Sequence, residues 1–495
     1  MGQPIRESVL RLGPTGSKAR SCSMASTDLP ATPATLVQQI AANVLGVAAA
    51  TIPWSVVEHT KALILDSIGC ALAATEEPAF ARASRVLAQL GGNPDCTVIG
   101  SSRRVNLPQA VLLNGILIRS LDLNDAYIGP GQMGHPSDNI AVALSVGEKF
   151  RASGLSVIAS VALGYEIYCR MQDIIPARGT WDHTTASALA APLIAGRLMG
   201  LNAEQLAHAA ALSATHGNTL AVVRTGQLGN SKANANAMVA SQAVLCSLFA
   251  AEGMTGPLGV IEHPRGLSTG MLAGAKLDLL AQPIGDRYRI MTSAIKAYPC
   301  IGTAQTLVAG VLQARAGIAD PAREVQRIEV MMADIPIVSA QVADEQRRYP
   351  ASRESADHSF TYLAAAALSD GEISEAQFAP GRWLQPEMRE AMARVSVRTD
   401  ASLNKYTPGS YPAVVKLILQ SGESREVEVA FPKGHPNNPM SPAEVEAKFR
   451  ACARGRMPSA RQEKVIGKAR ELEKLASVAE LMNDLAEGET GVNQP

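Results

Sequence analysis

Polar side chains capable of chemistry are concentrated in a few places along an otherwise apolar chain. The densest cluster is RSLDLNDAYIGPGQMGHPSDNIAVA, in which Asp122, Asn124, Asp125, His135, Ser137 and Asp138 flank a loop carrying Gly129, Gly131 and Gly134. A loop of this kind can bring an acid and an imidazole together, while the glycines let a small ligand approach the backbone. The competing reading is helix capping, with Ser137 or Asp138 as the N-cap of a helix from Asn139. His183, in GTWDHTTASAL, stands just before an apolar helix. A helix N-terminus disfavours the imidazolium, so this residue leans toward a neutral base, with a packed or capping histidine as the alternative. Lys232, in GNSKANANA, and Lys296, in SAIKAYPCIG, are isolated cations among small uncharged residues. Each could hold a substrate carboxylate or end a helix at the surface.

The elements that must position these residues are mainly helical. The 495 residues are 47% hydrophobic, 18% charged and 4% aromatic, so the core must come from Ala, Leu, Val and Ile, a composition suited to closely packed helices. Apolar residues recur at helical spacing from Leu36 onward, as in SVVEHTKALILDSIGCALAAT, where Ser55 is the expected N-cap. After Pro283 the pattern changes: VQRIEVMMADIPI, ARVSVRTD, AVVKLILQSG and SREVEVAFPKG read as strands, the last two joined by a turn at Ser421 and Gly422. The helical stretch SFTYLAAAALSDG between them points to an α+β unit rather than a parallel βαβ array. The expected organisation is an N-terminal extension at 1–35, a helical domain at 36–290, an α+β lid at 291–438, helices at 439–486 returning to the first domain, and a tail at 487–495. The fold class expected is mostly α, a large all-helical domain with a smaller α+β lid.

Composition also narrows function. Forty-five basic and 45 acidic residues give no net charge and no basic block, against a dedicated nucleic-acid binder. Seven scattered cysteines form no CxxC clamp or disulfide framework and suggest a reducing compartment. The longest apolar runs, such as Thr184 to Leu201, are interrupted by charge, so no membrane partner is expected. No dinucleotide, P-loop, HExxH or GxSxG motif occurs, so no cofactor and no metal is expected. The first residues lack the apolar stretch of a secretory signal. A cytoplasmic location is expected, with the mitochondrial matrix as the alternative if the extension is a transit peptide, and Met24 is a candidate functional start.

The ordered set LILDSIGCALA, LDLND, GHPSDNI, WDHTTASALAAPLIAGRLMGL, NSKANA, KAYP, DHSFTYLAAAAL and FPKGHPNNPMS resembles the MmgE/PrpD family, which includes 2-methylcitrate dehydratase and cis-aconitate decarboxylase. The resemblance runs from about Leu36 to about Asp484. It implies a homodimeric enzyme free of metal and cofactor, with its active site between a helical domain and a lid. Carried over by position, the family's acidic site residue falls on Asp122, its histidines on His135 and His183, and its lysines on Lys232 and Lys296. The chain departs from the family's patterns at Ala126, where Thr is usual, at Ile301, where the decarboxylase has His, and at Asp344, where a loose alignment sets Tyr. The activity expected is that of a lyase on a small hydroxylated di- or tricarboxylate, most like a 2-methylcitrate dehydratase. A cis-aconitate-type decarboxylase, a substituted-succinate epimerase and a catalytically inactive small-acid-binding scaffold are the alternatives.

Overall fold

A computed structural model describes residues 33–130, 132–176, 179–285 and 287–486. Most of the expected extension, the tail from 487 and Gly131 lie outside these residues. The described chain is mostly helical, 58% against 10% strand, as a core of Ala, Leu, Val and Ile requires.

Two hydrophobic cores organise it. The larger gathers helices from the first 295 residues together with helices near the C-terminus: Pro442–Ala453 packs along Trp54–Ala73, and Ser459–Arg470 also meets it. At its centre Leu107–Ser120, Gly154–Ile174, Ser187–Met199, Ala203–His216 and Ser231–Ala251 pack on one another. Several are buried nearly all round, which explains their weak amphipathicity in the sequence. The helix Ser231–Ala251 is long and apolar enough to cross a membrane, which sequence inspection overlooked. It nevertheless carries Lys232 in its first turn, fully buried against carboxylates inside the protein.

The second core lies under a four-stranded mixed sheet. Val325–Ala333 runs parallel to Val395–Asp400 on one side and antiparallel to Ala413–Leu419 on the other, and Ser424–Val429 continues from Ala413–Leu419 as an antiparallel hairpin. The single parallel pairing arises because helices, Phe360–Asp370 among them, are inserted between the first two strands, long enough for a crossover. Gly422, at φ +87°, makes the hairpin turn with its amide donating to Leu419 O at 3.0 Å. Helix Gln305–Ala314 covers one part of the sheet.

A small three-stranded sheet joins the cluster-bearing loop to the segment after Pro283: Ala126–Ile128 pairs with Met133–Gly134 and with Ser293–Ala294, all antiparallel. This pairing brings Lys296 beside the loop that carries Asp122 and His135. Two local expectations are corrected. Helix Trp54–Ala73 starts one residue before Ser55, with Pro53 at the N-cap. Neither Ser137 nor Asp138 caps a helix: both sit in a short 3₁₀ turn, Pro136–Asn139, that leads into Ile140–Lys149.

Candidate active site

The site forms where three helix ends and two loops meet. Helix Leu107–Ser120 stops at Ser120, and Asp122 follows at φ +52°, a left-handed conformation that Asp tolerates better than most residues. This turn carries its carboxylate back to Arg119, whose Nη1 lies 2.9 Å from Asp122 Oδ1. Lys232 reaches the same carboxylate at 2.9 Å and Asp357 at 2.9 Å, and Lys296 ion-pairs with Asp122 while lying 3.4 Å from Cys300 O. Asp357 is also held by Arg353 at 3.0 Å and hydrogen-bonded to His358 Nδ1, and His358 Nε2 lies 3.5 Å from Asp122. Asp122, Asp357, Lys232, Lys296 and His358 are all buried. Burial alone would raise Asp122, yet Arg119, Lys232 and Lys296 outweigh it and hold this carboxyl well below the usual range. Burial lowers Lys296, with Asp122 opposing.

Above this ionic layer stand the two sequence-flagged imidazoles, edge to face with ring centroids 5.2 Å apart. His135 Nδ1 lies 2.6 Å from the carbonyl of Asp125. A carbonyl can only accept, so Nδ1 carries the proton and Nε2 keeps a lone pair, which has no hydrogen-bond partner among the described residues. The Tyr168 hydroxyl accepts from the His135 amide at 3.1 Å and lies 3.1 Å from His183 Nδ1. If that hydroxyl donates to His183 Nδ1, the proton of His183 sits on Nε2, the opposite tautomer. Burial is the main cause that keeps His135 well below its ordinary value and His183 down to about 3. Both are therefore neutral at physiological pH. Gly134 makes the arrangement possible, because a Cβ there would come within 2.7 Å of the Tyr168 oxygen.

The supporting residues account for the rest of the cluster. Asp125 accepts from the Ser137 amide at 3.2 Å and its hydroxyl at 2.5 Å, and Asn124 donates to Asp138 at 2.8 Å. Burial raises Asp125 to about 7 and Asp138 to about 6. Asp182 caps the turn His183–Ala186 by accepting from the Thr184 amide at 3.1 Å and is held by Arg224 at 2.7 Å. A cavity of about 350 Å³ opens over the pair, lined by Arg119, His135, His183, Arg224, Ile301, Arg347 and His358 among others. Larger cavities of about 550 Å³ beside His263 and about 510 Å³ beside His59 contain none of the five sequence-flagged residues.

All five flagged residues thus gather in one place, the two histidines on the cavity wall and Asp122, Lys232 and Lys296 beneath it. Arg119, Tyr168, Arg224, Arg347, Asp357 and His358 were not singled out in the sequence. Arg119, the one cation in NGILIRSLDL, comes near the isolation criterion that flagged the lysines. Asp122, Asp357 and His358 have donor atoms close enough together to share a cation. Their carboxylates are already bound to Lys232, Lys296, Arg119 and Arg353, so a metal would have to displace an ammonium.

A helical body, a smaller sheet-bearing part and a buried cluster of imidazoles, carboxylates and cations beside a small cavity describe an enzyme-like site. The comparison with known proteins gives its family: the MmgE/PrpD N-terminal domain matches residues 38–280 and the MmgE/PrpD C-terminal domain residues 298–474, and the chain belongs to the MmgE/PrpD family. A cis-aconitate decarboxylase-like protein of Aspergillus oryzae is 23% identical over 87% of this chain and 93% of its own length. The cis-aconitate decarboxylase of Homo sapiens is 23% identical over 80% of this chain and 83% of its own. The 2-methylcitrate dehydratase of Cupriavidus necator is 23% identical over 81% of this chain and 87% of its own. Equal identity to decarboxylases and a dehydratase leaves the reaction to be argued from the site.

Proposed function

We propose that this protein is a lyase that removes water from a small hydroxylated di- or tricarboxylate, with 2-methylcitrate the nearest named type of substrate. The relatives, dehydratases and decarboxylases, support the lyase class. The observation that carries the choice of dehydration is the protonation of His135: its Nδ1 is tied to a carbonyl, leaving a bare Nε2 on the wall of a cavity edged by cations. Elimination next to a carboxylate begins by taking a carbon-bound proton, and a neutral imidazole with a free nitrogen is equipped for that. Decarboxylation instead needs a proton donor for the carbanion, and the unprotonated Nε2 of His135 is an acceptor.

In this reading His135 Nε2 accepts the carbon-bound proton while His183 Nε2–H hydrogen-bonds the leaving hydroxyl. The imidazolium formed at His135 returns its proton to that departing oxygen, so water leaves and a carbon–carbon double bond remains. Arg119, Lys232 and Lys296 supply positive potential where charge develops on the substrate carboxylate. A panel of hydroxylated and unsaturated di- and tricarboxylates tests this, read by absorbance of the new double bond and by carbon dioxide release. Double-bond formation without carbon dioxide is the expected result; carbon dioxide release would replace the reading by a carboxy-lyase, and binding without turnover by an inactive scaffold.

We also infer that the working form is a homodimer. Met238, Leu245 and Phe249 expose 59%, 39% and 46% of their surface along one face of helix Ser231–Ala251, an apolar stripe that a second copy would cover. Light scattering of Met238→Glu/Phe249→Glu beside the native chain tests this, with dissociation to monomer expected.

A further inference from the structure

Two arginines on the cavity wall have donors to spare. Arg224 closes the 3₁₀ turn Ala221–Arg224; its Nε and Nη2 donate to Asp182 at 2.7 and 3.3 Å, and its buried Nη1 has no hydrogen-bond partner among the described residues. Arg347, on the short helix Glu345–Arg348, donates from Nη2 to the carbonyl of Arg224 at 2.5 Å. Its Nε lies 3.2 Å from Asp344 Oδ2 in an ion pair, and neither that Nε nor the Nη1, both buried, has a hydrogen-bond partner among the described residues. A buried guanidinium N–H without an acceptor is uncommon, and two of them on adjoining residues of one wall call for a ligand.

We propose that Arg224 and Arg347 are specificity-determining residues that form a carboxylate subsite for the arm of the substrate farthest from the reacting carbon. This rests on the reading of the cavity as a lyase site and adds its specificity. Asp182 and Asp344 each engage one edge of one arginine, leaving an Nη1 on each fork. Asp182 holds the Arg224 guanidinium and the Arg224 backbone carbonyl holds that of Arg347, so each fork is anchored in advance, as recognition of a carboxylate's two oxygens requires. The lysines cannot take this part as they stand, since Lys232 and Lys296 are both engaged by Asp122.

The test is equilibrium binding, by titration calorimetry on the full chain, of tricarballylate and of succinate, which lacks one carboxymethyl arm. The native protein is expected to prefer tricarballylate, and Arg347→Gln or Arg224→Gln to lower tricarballylate affinity about 10- to 100-fold while leaving succinate nearly unchanged. Because both arginines also brace neighbouring loops, Arg224→Lys and Arg347→Lys are measured alongside; they keep the charge without the fork and should lose most of the preference while unfolding at the native temperature. Equal weakening of both ligands in every variant, or no preference in the native protein, would overturn the subsite. The readout does not depend on turnover: a preference that holds while no hydroxy acid reacts would count against the lyase reading and leave the subsite standing.

Discussion

Asp122 is the residue on which the ionic layer depends. It sits at φ +52°, is fully buried, and receives Arg119, Lys232 and Lys296 on a single carboxylate. Replacing it with Asn keeps the shape but leaves three buried cations short of an anion, and breaking a buried pair from one side costs about 3–5 kcal/mol. Asp122→Asn should therefore lower stability by about that amount, read as a fall in the denaturation midpoint at unchanged m-value, before any effect on activity is considered; a stability within about 1 kcal/mol of the native protein would show that the cations find other partners. His135 is expected to behave differently. Its Nε2 supports nothing in the fold, so His135→Gln should leave stability nearly intact and lower kcat by roughly 10² to 10⁴, with a smaller change in substrate binding. Native-like turnover in that variant would remove the base from the proposed mechanism. Since Asp122 and Asp357 are committed to ammonium and guanidinium groups, turnover should also persist after exhaustive dialysis against a chelator, and metal lost together with activity would contradict that.

At the scale of elements, the site depends on loops being held against helices by close backbone approach. Gly434, in FPKGHPNNPM, is the clearest case: it has φ +86°, its carbonyl accepts from the Ile295 amide at 3.0 Å, and a Cβ on it would lie 1.8 Å from the Ile295 carbonyl oxygen. Gly434→Ala must push the segment before Lys296 away, so it should destabilise the protein by about 2 kcal/mol or more and weaken carboxylate binding as Lys296 moves. Loss of stability without any loss of binding would show that Lys296 keeps its place independently. This close approach also marks what was legible in sequence. The four strands of the larger sheet and the hairpin at Gly422 could be read from local alternation and turn chemistry. His135 and Lys232 stood out because a polar residue inside an apolar run needs a reason. The pairing of Ala126–Ile128 with Ser293–Ala294, which joins loops more than 160 residues apart, leaves no local pattern in such short strands. Arg347 lay hidden among charged neighbours in ADEQRRYP, Arg224 is as isolated a cation in LAVVRTGQ as the lysines and was passed over, and only the fold shows which of their donors lack partners among the described residues.

For the whole molecule, buried ionisable groups of opposite tendency set the response to acid. His135, His183 and His358 are held below their ordinary value mainly by burial, the last two at about 3. Below about pH 6.5 the unfolded chain binds protons at these residues and the folded protein does not, so their contribution is complete above that pH and is lost as the pH falls. Asp125 and Asp138 act in the other direction. Burial raises them to about 7 and about 6, so between those values and about 4 the folded protein keeps protons that the unfolded chain releases, and acid favours folding through them. His59 and His435 add to the first group and Asp66 and Glu77 to the second, so the two groups oppose each other. Below about pH 4 this opposition ends, because the unfolded chain then binds protons at Asp122, Asp182 and Asp357, whose folded carboxyls cations hold below their ordinary value. The melting temperature should accordingly change little between pH 6.5 and 4.5 and fall steeply below about 4. Asp125→Asn isolates one side of the balance. Its amide oxygen can still accept from Ser137, but the proton uptake that offsets one histidine is gone, so unfolding free energy should fall by about 1.4 kcal/mol more per pH unit between pH 6 and 4.5 than in the native protein. Denaturant melts of both proteins across that range decide the matter: parallel curves would mean that Asp125 is ionised in the folded protein and that the buried histidines are balanced by some other group.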